Sequence, residues 1–184
     1  MIHPKAEVHD DCIIGENTNI WQFASVIRGA KIGRNCNIAS GACVDGSEIG
    51  DGTKIGHNLA MGPGFKVGRD CFIAPNVTFC NDAWPRAHES GFDVRKYEGR
   101  PAVIVEDKAS IGANAVILNG VHIGEGAMIA AGSVVTRNVP AWTLWKGWGE
   151  ELTEIDNEDR KTRMRYAETP IEQTRHFLAE QGFA

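Results

Sequence analysis

Stepping by six from Val8, the chain returns each time to an aliphatic residue: Val8, Ile14, Ile20, Val26, Ile32, Ile38 and Val44. One five-residue step leads to Ile49, and Ile55, Met61, Val67, Ile73 and Phe79 follow. After a gap the beat resumes at Val105, Ile111, Ile117, Ile123, Ile129 and Val135. The residue after the anchor is often Gly or Ala (Gly15, Gly33, Gly50, Gly68, Gly112, Gly124), and the fourth is mostly small (Thr18, Ala24, Cys36, Ala42, Ala109, Ala127). A period of six fits neither an amphipathic helix nor plain alternation. It fits a strand of about four residues followed by a tight corner. The anchor and the small residue then share one interior, and the glycine relieves the corner. Three such strands close a triangular turn, and turns stack at about 4.8 Å. One turn cannot bury its apolar face alone, so the stack carries the stability. The pattern predicts an all-β fold, a parallel β-helix of about six turns over residues 1–140.

The rhythm breaks once, over 79–105. The stretch begins Phe79-Cys80-Asn81-Asp82-Ala83-Trp84-Pro85-Arg86-Ala87-His88 and reads as an extended loop over 80–104. A regular scaffold that interrupts itself with Asn, Asp, Trp, Arg and His is the place to look for function. Residues 141–184 leave the repeat and read as a C-terminal tail. Trp142, Trp145 and Trp148 recur every third position there, and either cover the last turn or line an adenine pocket. Thr169-Pro170-Ile171-Glu172 is a capping box with proline at the first helical position, which predicts a helix near 170–181.

Composition adds exclusions. The chain has 184 residues and a formal charge of −5. With no basic run, nucleic acid is not expected as a partner. No apolar stretch reaches about 18 residues, so membrane insertion is not expected. Met1–Glu7 lacks the form of a signal peptide, which gives a cytoplasmic reading. The five cysteines are odd in number and contain no C-x-x-C pair, so they read as small apolar residues rather than disulfides or a zinc site.

The tandem [LIV]-[GA]-x-x-[small]-x pattern over roughly 8–140 resembles the hexapeptide-repeat acyltransferases. That resemblance implies a left-handed parallel β-helix, usually a homotrimer with a site in each cleft between prisms. Asn76-Val77-Thr78-Phe79-Cys80-Asn81-Asp82-Ala83-Trp84-Pro85-Arg86-Ala87 is similar to a segment of the nucleotide-sugar N-acetyltransferases. Lys108–Ala115 and Ala130–Thr136 match that family too. The Asn-Asp pair resembles enzymes acting on dTDP-3-amino-3,6-dideoxyhexoses more than those acting on UDP-linked 3-amino sugars. Two departures stand out. Pro63 occupies the place of a frequent Glu, and Val139–Gly149 replaces the family's usual ending.

The implied reaction is attack of a sugar amine on the thioester of acetyl-CoA, with the product supplying a surface polysaccharide. The amine must lose a proton, so the site needs an acceptor, and the developing oxyanion needs a donor. Asp82 is the first candidate to hold the amine, with Asn81 orienting it; the pair also suits the start of a turn. His57, two residues past an anchor, faces outward from a corner as a candidate base or sugar contact. His88 is a weaker candidate, and His122 reads as a surface residue. Trp84 suits stacking on a base and Arg86 a pyrophosphate clamp, although both also suit loop packing. For CoA, family position points to Gly112, Ala113, Ala131 and Gly132, with Arg137 and Lys146 as phosphate partners. No metal is expected, because the His-x4-His spacing of the zinc-dependent members of this fold is missing. A sugar O-acetyltransferase, which would need His57 or His88 as base, and a non-catalytic scaffold are the alternatives.

Overall fold

The computed structural model describes residues 1–82 and 101–147, and the backbone of strand Glu151–Glu154. Met1–Thr153 forms one compact unit and Glu154–Ala184 a second. The expected helix near 170–181 and most of the 80–104 loop lie outside the described residues.

Short strands follow one another onto three sheets, whose strand pairings are parallel through Thr143–Lys146. The first sheet takes Glu7–Val8, Ser25–Ile27, Cys43–Asp45, Ala60–Met61, Thr78–Phe79, Val116–Ile117 and Val134–Val135. The second takes Ile13–Ile14, Lys31–Ile32, Glu48–Ile49, Phe65–Val67, Val103–Val105 and His122–Ile123. The third takes Asn19–Ile20, Asn37–Ile38, Lys54–Ile55, Phe72–Ile73, Ser110–Ile111, Met128–Ile129, Thr143–Lys146 and Glu151–Glu154. The sheets hold 7, 6 and 8 strands, so the prism has about seven turns rather than six. The additional rungs come from both ends. Ile2 bridges to Ile20, Val139 bridges to Ile123, and Thr143–Lys146 carries the third sheet past Pro140.

Every anchor from Ile20 onward is buried, and each stacks on the anchor one turn below. Val26 pairs with Val44, Met61 with Phe79 and Ile111 with Ile129. Burying each such side chain contributes about 1.5–3 kcal/mol. Trp145 takes the inward place above Ile129 and is fully buried, so this tryptophan covers the last turn. Thr18 and Thr53 sit inside as well. Each hydroxyl donates to a carbonyl (Gly33 or Gly68) and accepts from the amide of Cys36 or Cys71, so neither is orphaned.

The glycine after the anchor has a different cause from the one its place predicts. A Cβ on Gly15 would lie 2.5 Å from the Gly33 carbonyl carbon, and one on Gly50 2.6 Å from that of Gly68. At these glycines the corner stacked above approaches too closely for a side chain, although Glu106 takes the same place at another rung. The left-handed backbone falls two residues later, on Asn17, Asn35, Asn58, Asn76 and Asn114 among others. Asparagine tolerates that conformation better than most residues.

The insertion leaves the ladder in register. Phe65 pairs with Val103 and Val67 with Val105, and the amide of Ala102 donates to Gly64 O at 2.5 Å.

Candidate functional site

The sheets meet at three corners. The corner leading from the first sheet to the second carries, rung by rung, Arg28, Gly46, Pro63 and Asn81. A Cβ on Gly46 would lie 3.3 Å from Arg28 O and 3.6 Å from Pro63 Cβ. Asn81 Nδ2 donates a long 3.5 Å bond to Pro63 O. Pro63 stands in the place of the family's Glu and presents a carbonyl instead of a carboxylate. Asn81 and Asp82 are half-buried where the chain leaves the prism. Behind them the rings of Phe65 and Phe79 pack at 5.4 Å and fix the floor. Burial pushes the neighbouring Cys80 thiol up, so it stays protonated at neutral pH.

The corner leading from the third sheet to the first carries Gly112, Ala113, Ala131 and Gly132, expected to line CoA, and His57. His57 O accepts from Asn76 N, Pro75 O from Asn114 N, and Ala113 O from Gly132 N, at 2.9, 3.1 and 2.8 Å. His57 is exposed, two rungs beneath Ala113. A Cβ on Gly112 would lie 2.4 Å from Ala131 N, while one on Gly132 would meet nothing within 4 Å. Ala131 and Gly132 are exposed, so bare backbone faces solvent here. Arg137 stands on the Asn81 corner with its guanidinium 5.6 Å from the Trp145 ring centroid, and Lys146 is exposed at the end of its strand. Trp84, Arg86, His88 and Trp148 lie outside the described residues.

One prism therefore does not bring its candidates together. Asn81, Asp82 and Arg137 occupy one edge of the first sheet; His57, Gly112, Ala113, Ala131 and Gly132 occupy the other. The outward face between them is small and uncharged from Ser25 through Cys43, Ala60, Thr78 and Val116 to Val134. The second sheet instead shows Lys31, Glu48, Lys66 and His122, with Lys31 paired to Glu48 and His122 Nε2 2.8 Å from Glu106. Two shallow grooves of about 470 and 440 Å³ lie on that second sheet, around Lys66, Gly68 and Asp107. Neither contains Asn81, Asp82 or His57. Among the described residues no group of three or more His, Cys, Asp and Glu could hold a metal ion, and no helix is long and apolar enough to cross a membrane.

The sequence pattern did not single out Arg28 and Asp45. The Asp45 carboxylate is nearly buried and takes both Nε and one Nη of Arg28, whose side chain is 64% exposed. Ser47 Oγ, donating to Gly62 O at 2.9 Å, closes the shortened corner above. The signal was the five-residue step from Val44 to Ile49, which draws this corner in.

The bacterial transferase hexapeptide profile (six repeats) matches residues 11–46, 46–81 and 102–137. Bifunctional protein GlmU of Acinetobacter baylyi is 32% identical over 137 residues, 74% of this chain and 27% of that protein. 2,3,4,5-Tetrahydropyridine-2,6-dicarboxylate N-acetyltransferase of Staphylococcus aureus is 48% identical over 61 residues, 33% of this chain and 26% of that protein. The chain thus spans about a quarter of the length of these relatives. Among solved structures, a point mutant of perosamine N-acetyltransferase of Caulobacter crescentus, in complex with CoA and GDP-perosamine, superposes with TM-score 0.52 at 22% identity, covering 83% of this chain and 55% of that one. A point mutant of AntD, an N-acyltransferase of Bacillus cereus, in complex with dTDP and coenzyme A, gives TM-score 0.54 at 20% identity, covering 90% and 85%. At these identities the superpositions speak for the fold. Three stacked blocks of the repeat profile, on sheets that pair rung upon rung, make the chain a member of the bacterial transferase hexapeptide family, with its left-handed β-helix.

Proposed function

We propose that the chain is an acetyl-CoA-dependent N-acetyltransferase acting on the amino group of a nucleotide-linked amino sugar. The observation that carries this is the pairing of two corners. Half-buried Asn81 and Asp82 stand where the prism opens, and a shelf of bare backbone at Gly112, Ala113, Ala131 and Gly132 stands across the uncharged first sheet. The structural relatives with CoA and nucleotide or amino-sugar ligands support the substrate class. The Asn-Asp pair favours a dTDP-3-amino-3,6-dideoxyhexose, and surface polysaccharide as the product's destination. The cellular site is the cytoplasm.

The two corners meet when copies pack side by side, so the active form is a homotrimer with its first sheet against a neighbour. Acetyl-CoA lies along the glycine shelf of one copy, with Lys146 of that copy and Arg137 from the facing Asn81 corner of its neighbour near its phosphates. Asp82, with Asn81, holds the amine and draws off a proton as nitrogen attacks the thioester carbon. A backbone amide of the shelf stabilises the oxyanion. The C–S bond then breaks, and the thiolate leaves as a good leaving group that can itself take the proton. Trp84, Arg86 and His88 are assigned to the nucleotide side.

A second reading, O-acetyl transfer, draws on one observation: His57 is exposed on the same corner as the shelf, two rungs below it. The test is release of CoA thiol from acetyl-CoA with dTDP- and UDP-linked amino sugars, set beside thermal stabilisation by each ligand. Failure of every ligand to raise the midpoint at millimolar concentration sinks the enzyme reading. Loss of turnover in His57→Ala with Asp82→Asn intact shifts the assignment to O-transfer.

A further inference from the structure

Arg28 is an exposed guanidinium fixed from behind. Asp45 grips its Nε and one Nη, and the rest of the planar group faces out. A carboxylate this nearly buried is costly unless it is paired, and the bidentate grip pairs it while holding the cation's orientation. The other arginine pairs of the described residues, Arg34–Asp51 and Arg69–Asp107, sit on a different corner. Arg28 alone of the three shares its corner with Asn81. Between them the column presents Gly46 and Pro63, with glycine on both sides of that proline. Among the described residues, no long side chain stands in this column between Arg28 and Asn81. Three rungs separate the two backbones, about 14 Å at the inter-strand spacing. The Arg28 head reaches to the rung of Asp45, which shortens the gap to about two rungs, or roughly 10 Å. A hexose with a diphosphate on its anomeric oxygen can bridge that gap.

We propose that Arg28, held by Asp45, binds the diphosphate of the nucleotide-linked substrate whose amino group sits at Asn81 and Asp82. This deepens the reading above and rests on it. The substrate lies down the Asn81 corner with its sugar at the top, passes over the bare Gly46–Pro63 column, and puts its phosphate oxygens on the outward edge of the guanidinium. The shortened corner at Asp45 makes the recess.

Calorimetric titration of the full chain with dTDP, and separately with coenzyme A, tests this. Arg28→Ala is expected to weaken dTDP about tenfold or more, the scale of hydrogen bonds to a charged group, and to leave coenzyme A affinity unchanged. In turnover, KM for the amino-sugar nucleotide rises by a similar factor while kcat and the KM for acetyl-CoA stay near wild type. Arg28→Lys keeps the charge without the fork and falls between. Should Arg28→Ala unfold because Asp45 is left unpaired, the double variant Arg28→Ala/Asp45→Asn carries the test. Undiminished dTDP binding in whichever of these variants folds overturns the assignment and leaves the acetyltransferase reading standing. If wild type releases CoA thiol yet does not bind dTDP, the assignment also falls. Absence of both dTDP and coenzyme A binding in wild type overturns the functional reading itself.

Discussion

Single residues set the limits of the corners. Gly126 has φ +63°, and a Cβ there would lie 2.5 Å from the Trp142 ring, which rests on it. Gly120 has φ +78° and open space around it. Gly126→Ala is therefore expected to cost about 1–3 kcal/mol more than Gly120→Ala, whose cost is backbone strain alone. Denaturant midpoints of the two variants decide it. Cys71 gives a pH prediction. Burial pushes its thiol up to about 11, so the folded protein keeps the proton after the unfolded chain has lost it. The unfolded state then binds fewer protons, and stability falls as pH rises from the unfolded value toward 11. Cys71→Ala should flatten the alkaline limb of a stability–pH curve, and intact protein should resist thiol reagents at Cys71. The acid limb has the opposite sign. The Arg69 amide and guanidinium hold the Asp107 carboxyl below its usual value. Its contribution is present above the unfolded carboxylate pKa and is lost as pH falls through the folded one, so Asp107→Asn should blunt the acid loss.

At the scale of elements, the strands were legible because their side chains have one job each. An inward aliphatic every sixth residue is a direct print of a triangular cross-section, and the anchors from Ile20 to Val135 all proved buried. The extra rung at Thr143–Lys146 was harder to see, since Trp145 fills the inward place of an aliphatic and the step from Val139 to Trp145 passes through Pro140. The candidate site was legible only in part. Asn81 and Asp82 announced themselves by breaking the beat, and the glycine shelf by family likeness. Arg28 and Asp45 did not, because each sits at an ordinary outward or corner place and becomes notable only when stacking sets one above the other. Asp82→Asn keeps the shape and removes the proposed proton acceptor. It should lower kcat/KM by at least about 100-fold, the range of general-base contributions, with coenzyme A affinity unchanged. Steady-state kinetics with both substrates would show it.

At the scale of the whole molecule, the faces of the prism divide their tasks. The second sheet carries paired charges, and the outward face of the first is uncharged from Ser25 to Val134, between the two candidate half-sites. Ala60→Glu places a carboxylate in the middle of that face, at a site that is exposed in the single prism. Charge is disfavoured at the centre of an interface. The variant should therefore elute as a monomer in light-scattering chromatography, fold as well as wild type, and lose turnover. A monomer with full activity would show that one prism holds a complete site.

The insertion after Phe79 also bears on how such a chain can change. The pairing partner of Val67 lies 38 residues ahead instead of the usual one turn, yet the register closes without a flaw. Doubling the length of a connecting segment costs only about 0.6 kcal/mol in closure entropy. The solenoid is thus nearly indifferent to what is spliced into that corner. On the proposed function, a change of sequence in that one cassette would alter the nucleotide side of the site while the folding of the rungs above and below goes on unaltered.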